Sequence, residues 1–235
     1  MERMGVFSRL RSSTILIYLW PQHHTDLIQQ LVAREVQLRY RQSWLGVAWL
    51  WLTPLLTLAV YTLVFRRVFN LRWNMGGHES DLAFAVRLYA GLAVFQFFAE
   101  CVNRAPRLVL DQPHLVKKVV FPLEILPWIS VLAAGMHLGV AAVLLLGCAA
   151  WVSGGWPPTT ALALPLVWLP LLPLCLGLGW ALAAVGTFIR DVGQLLGLMV
   201  SLLLFMSPVF FGVEALPTRL QHWIFLNPLA LIMTQ

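Results

Sequence analysis

Apolar residues in this chain gather into five long runs, at residues 44–65, 82–103, 125–152, 161–189 and 192–213. The first holds no charged residue, and the second carries Arg87 and Glu100 near its two ends. A helix needs about 20 apolar residues to cross a hydrocarbon core about 30 Å thick. Lipid offers backbone N–H and C=O groups no partners, so such runs must bond internally. All five are expected to be transmembrane helices. Pro54 and the trio Pro165, Pro170 and Pro173 are expected as local kinks, which membrane helices tolerate. The fourth run has a second reading, a shorter helix after an irregular outer segment.

Residues 25–42 are patterned differently. Leu27, Ile28, Leu31, Val32, Val36 and Leu38 fall mainly on one side of a helix, with Arg, Glu and Gln residues on the other. Thr25 or Asp26 is expected to cap it. A basic amphipathic helix just ahead of a span lies in the membrane interface or packs on a partner protein; the pattern fits both. After the fifth run, residues 214–235 are too short and too broken by Pro217, Asn227 and Pro228 to span. The closing apolar stretch, 229–233, reads as the start of a sixth span that is cut off.

Composition agrees with this picture. Hydrophobic residues make up 60% and charged residues 11% of the chain, against about 45–50% and about 25% in soluble domains. The fold class expected is therefore an all-α polytopic membrane protein. The net charge of +6 comes with no long basic run, which argues against nucleic acid. It matches the excess of Lys and Arg in cytoplasmic loops. With the N-terminus inside, Arg3, Arg9, Arg11, Arg34, Arg39, Arg41, Arg104, Arg107, Lys117, Lys118 and Arg190 lie on the cytoplasmic side, whereas Arg66, Arg67, Arg72 and Arg219 lie outside. The Arg66-Arg67 pair runs against the rule. No secretory signal is visible, and Cys101, Cys148 and Cys175 have neither disulfide-framework nor metal-site spacing.

Candidate chemistry is sparse. The chain's only lysines, Lys117 and Lys118, follow Val116, so the glycine-rich phosphate-binding loop of an ATPase is missing. If ATP drives the protein, another chain hydrolyses it. The ten acidic residues are scattered, which argues against a membrane-embedded enzyme. An ion-coupled transporter keeps ionisable groups near the bilayer centre. Here only His137 qualifies, as a hydrogen-bonded packing residue or as a proton relay. His23 and His24 read as interfacial polar residues.

Four segments in order then carry a resemblance. They are Arg34-Glu35 and Arg39-Tyr40-Arg41 followed by Ser43-Trp44-Leu45-Gly46 and Pro54-Leu55-Leu56; Lys117-Lys118-Val119-Val120-Phe121-Pro122-Leu123-Glu124; Arg190-Asp191-Val192-Gly193-Gln194; and Ser207-Pro208-Val209-Phe210-Phe211 with Leu226-Asn227-Pro228. Together they resemble the type 2 ABC transporter permeases that export polysaccharides and polyol phosphates, namely O-antigen, capsule and teichoic acid. Leu123 departs from the family, which usually has a basic residue before the Glu.

The resemblance implies six spans, a homodimer in the bacterial inner membrane and two separate ATPase subunits that carry the ATP and Mg. This chain itself is then no enzyme and binds no cofactor. Residues 1–43 become a cytoplasmic N-terminus with the interfacial helix, and 44–235 the transmembrane domain. Within it, 104–124 is the coupling segment and 214–235 a re-entrant outer gate. The coupling candidates are Arg34, Glu35, Arg39, Arg104, Arg107, Lys117, Lys118, Phe121, Pro122 and Glu124. The basic ones could equally anchor to anionic lipid. Sugar rings present C–H faces that stack on aromatics, which nominates Tyr61, Tyr89, Phe95, Phe98, Phe210 and Phe211 for the conduit. Aromatics in membrane helices also serve as packing or interface anchors. The implied cargo is a lipid-linked polysaccharide or polyol phosphate. Export of a drug or small lipid, and ion-coupled transport, are the alternative readings.

Overall fold

The computed structural model describes residues 24–41, 43–64, 81–113, 121–156, 161, 163–210 and 227–233. Among the described residues the chain is all-α, a polytopic bundle of apolar helices. In chain order these are α1 (Thr25–Tyr40), α2 (Trp49–Thr62), α3 (Asp81–Arg104), α4 (Leu126–Ser153), α5 (Leu164–Trp168), α6 (Leu171–Phe188), α7 (Val192–Met206) and α8 (Pro228–Met233). At 1.5 Å per residue, α3 and α4 are about 36 and about 42 Å long, enough to cross a bilayer. With α5 and α6 taken together, three segments reach spanning length; α2 with its leading turn, and α7, are shorter.

Helix α3 is the axis of the bundle. Helices α2, α4, α6, α7 and α8 all pack on it, and Phe84, Leu88, Leu92 and Val94 are almost wholly buried there. Val131 and Ala134 of α4, Leu171 and Cys175 of α6, and Leu229 of α8 complete this core. A helix apolar all round is a buried or lipid-facing helix. The outer face of α7 fits that rule: Leu195, Leu198, Leu202 and Phe205 are all exposed. Exposed Trp151 and Trp156, at and just past the C-terminal end of α4, sit where interfacial aromatics belong.

Several helix limits differ from the apolar runs, each for a local reason. Helix α2 begins at Trp49 because residues 43–48 form a tight turn in which Gly46 has φ +51°, a region that side-chain-bearing residues resist. The fourth run is interrupted at Leu169 and Pro170 between α5 and α6. Helix α7 stops at Met206 rather than continuing to 213, since Ser207 is extended (φ −93°, ψ 145°). It precedes Pro208, and a residue before proline is driven out of the helical region. The expected cap of α1 is also displaced. His24 holds the N-cap position without a side-chain bond, and Asp26 lies inside the first turn, where its charge favours the helix dipole.

The Ser207 and Asn227 segments, far apart in sequence, meet. Asn227 Nδ2 donates to Ser207 Oγ at 2.8 Å, and Ser207 Oγ donates to the Leu203 carbonyl at 2.8 Å. Asn227 Oδ1 also accepts the Leu229 N–H at 3.0 Å, capping α8. Because Ser207 is fully buried, Asn227→Ala is expected to cost about 1–2 kcal/mol, read as a lowered melting midpoint in detergent.

Candidate coupling interface and membrane cavity

Helix α1 docks against the bundle through both of its faces. On the apolar face, Ile28 is buried with Ile125, Leu126 and Ile129, and Leu27, Leu31 and Val32 pack around them. On the polar face, two ion pairs cross to α3. Arg39 meets Glu100 at 2.6 Å, and Glu35 pairs with Arg104. In each helix the acidic and basic residues are four positions apart, so they stack one turn above the other on a single face. The pairing is reversed between the helices, which makes α1 and α3 antiparallel at this contact.

His137 of α4 closes the cluster. Its Nδ1 lies 3.2 Å from Glu100 Oε2, and Tyr40 Oη lies 2.7 Å from Nε2. A carboxylate only accepts and a phenol donates, so this geometry selects the tautomer protonated on Nδ1. The Nδ1–H then donates to Glu100 and Nε2 accepts from Tyr40, with an Arg39 nitrogen 3.4 Å from Nε2. Burial raises the Tyr40 pKa, the Arg39 charge opposes this and Glu100 adds to the rise, so the phenol keeps its donor proton at neutral pH. Arg39 and Glu100 cancel in charge, as do Glu35 and Arg104.

Two cavities flank this cluster. One, of about 370 Å³, lies between α1 and the turns after α3, lined by Leu31, Arg34, Glu35, Arg104, Leu108 and Asp111 among others. The second, also about 370 Å³, reaches into the bundle between α1, α2, α3 and α4. Arg39, Glu100 and His137 form its floor, and Tyr40, Trp49, Tyr89, Gln96 and Phe97 contribute to its walls.

The chain leaves α3 through a short 3-10 turn, Ala105–Arg107, that is wedged against α6. A Cβ at Gly186 would fall 2.4 Å from the Pro106 carbonyl oxygen and 2.5 Å from its Cα. Only glycine allows this approach. On the return side, Trp180 Nε1 of α6 donates to the Glu124 carbonyl at 2.9 Å. Helix α6 therefore grips both ends of the segment between α3 and α4.

The family described as ABC-2 type transporter matches residues 26–234. The chain belongs to the ABC-2 type transporter family. O-antigen export system permease protein RfbA of Myxococcus xanthus is 30% identical to it over 215 residues, covering 90% of this chain and 78% of that protein. A Klebsiella pneumoniae protein of the same name is 23% identical over 206 residues, covering 87% and 76%. Capsule polysaccharide export inner-membrane protein CtrC of Neisseria meningitidis serogroup A is 23% identical over 212 residues, covering 86% and 74%.

Set against this ABC-2 frame, the candidate residues fall into distinct places. Glu35, Arg39 and Arg104 pair within the chain, while Arg34 lines the cavity beside them and Arg107 is exposed. Phe121 packs on the α1 contact, and Pro122 leads into the turn holding Glu124. Lys117, Lys118, Phe211 and most of 214–235 lie outside the described residues. Of the aromatics, Tyr89, Phe95 and Phe98 are all buried in the core, and of these three Tyr89 also borders the membrane cavity. Tyr61 stacks on Phe210 with ring centroids 6.0 Å apart and planes 11° apart. The engagement of Glu100, and the partnership of His137 with Tyr40, were absent from the sequence reading. The signal available was the matched four-residue spacing, Glu35/Arg39 and Glu100/Arg104.

Proposed function

We propose that this chain is the membrane-spanning permease subunit of an ATP-driven exporter that moves a lipid-linked polysaccharide or polyol phosphate across the bacterial inner membrane. Two copies pair, and two separate ATPase subunits, which hold the ATP and Mg, dock below. The N-terminus is cytoplasmic, so α1 and residues 104–124 face the ATPases. The observation that carries this reading is the double ion pair between α1 and the end of α3. It joins the surface helix to the root of the segment that meets the ATPase, so a push on either element moves both. A rigid pair of elements biased by nucleotide state is a sound transmitter. The names of the relatives support the glycan cargo.

The test uses the full-length gene, tagged and solubilised from its native host. Recovery of a separate ATPase subunit, with loss of surface glycan when the gene is deleted, is the expected result. Charge reversal at Lys117 and Lys118 is expected to abolish ATPase recovery while the permease still reaches the membrane. The Glu100–His137 contact is what an ion-coupled transporter would use. Export that follows the proton gradient and ignores ATP would select that reading instead.

A further inference from the structure

Helix α3 is apolar and mostly buried, yet one stripe of it is polar. Tyr89, Gln96 and Glu100 all line the membrane cavity, with small Ala93 between them. The stripe covers 12 residues of helix, from Tyr89 to Glu100, about 16 Å end to end, or half the hydrocarbon thickness. Gln96 is exposed and Tyr89 is buried. Among the described residues neither the Gln96 amide nor the Tyr89 hydroxyl has a hydrogen-bond partner. An amide carries two donors and an acceptor, and leaving it bare in hydrocarbon costs several kcal/mol. These groups therefore face something polar.

We propose that this cavity is a saccharide subsite within each permease chain, taking neutral sugar rings of the exported glycan on their way from the cytoplasmic face. The proposal rests on the export reading and names a binding place for its cargo. Three features select the ligand. The floor charges already cancel, so an anion gains little from Arg39 and would face Glu100. The exposed Gln96 amide, with the unpartnered Tyr89 hydroxyl on the buried wall behind it, suits hydroxyls, which both donate and accept. Half-buried Trp49 on the wall offers a flat apolar surface to the C–H face of a pyranose, while Phe97 behind it is buried in the core. At about 370 Å³ the space is at the small end of ligand sites, about 300–1,000 Å³, which suits a mono- or disaccharide rather than a long segment. Such a ring belongs either to the sugars beside the lipid anchor or to the body of the passing chain.

The probe is the photo-cross-linker benzoylphenylalanine in place of Gln96, in the full-length permease expressed with its ATPase. Cells that make the surface glycan and cells that lack it are irradiated, and the same residue at Val143, exposed on α4, is the control. A carbohydrate-staining adduct at 96, only in glycan-making cells and not at 143, is expected. Lipid label in that adduct marks the anchor end and its absence marks the chain body. Adducts with lipid alone, or equal carbohydrate adducts at both positions, overturn the proposal. Should the bulky probe perturb folding, Gln96→Leu combined with Tyr89→Phe gives a second reading. Export is expected to fall about tenfold with ATPase recovery retained, and unchanged export overturns the proposal. Surface glycan that persists after gene deletion would sink the export reading itself. A deletion that removes glycan, without the adduct, sinks only the subsite.

Discussion

Gly186→Ala is expected to destabilise the permease and to lose most of its ATPase recovery, whereas Gly177→Ala in the same helix leaves both intact. Both changes improve helix propensity, by about 0.8–1.0 kcal/mol, so propensity predicts a gain twice. Contacts separate them. A Cβ at position 177 meets nothing within 4 Å, while one at 186 lands 2.4 Å from the Pro106 carbonyl oxygen and 2.7 Å from its Cβ. Backbone atoms of a short turn cannot swing aside as a long side chain can. Either α6 retreats or the Ala105–Arg107 turn shifts with the segment it leads into. Overpacking of this kind costs about 1–3 kcal/mol, and Gly186→Val should cost more. Melting midpoints in detergent and the ATPase yield of pull-downs provide the readouts. Equal midpoints for the two alanine variants would sink the idea that α6 positions the segment between α3 and α4.

Removal of one partner from the Arg39–Glu100 pair is the second large effect expected. Glu100→Ala strands the Arg39 charge and takes the hydrogen-bond acceptor from His137, while Arg39→Ala leaves a carboxylate uncompensated within a span. Their side chains are 34% and 23% exposed, so each is mostly removed from water. Breaking a pair that lies between the surface and the buried regime costs about 1–3 kcal/mol, but replacing both members by apolar residues is far less harmful. The double variant Arg39→Leu with Glu100→Leu should therefore be more stable than either single leucine variant. A double-mutant cycle on thermal stability is expected to give a coupling of at least about 1 kcal/mol. Additive losses would show that the two charges act independently. The double variant also separates stability from transmission: it should fold, yet its α1 is tied to α3 only through Glu35 and Arg104. Glycan-stimulated ATP hydrolysis should then fall relative to the unstimulated rate.

The amino-acid sequence alone determined the membrane, the helices and much of their punctuation. Runs of 20 or more apolar residues leave no other secondary structure in lipid. The Ser43–Gly46 motif is a turn because of Gly46. Arg190-Asp191 sits in the short link between α6 and α7, and Pro208 ends the fifth run early through the residue before it. The tertiary structure decided which faces meet. Helices α2, α4, α6 and α7 are apolar nearly all round, so periodicity carries no sign of an inward side. For that reason Tyr89, Phe95 and Phe98, all on α3, read alike in sequence, although only Tyr89 reaches the cavity. Glu100 read as an end-of-span charge and Arg104 as part of the segment after the span, because their partners lie more than 60 positions earlier, on α1. The need for glycine at 186 is likewise set by Pro106, a residue on another element, and no local pattern records that contact.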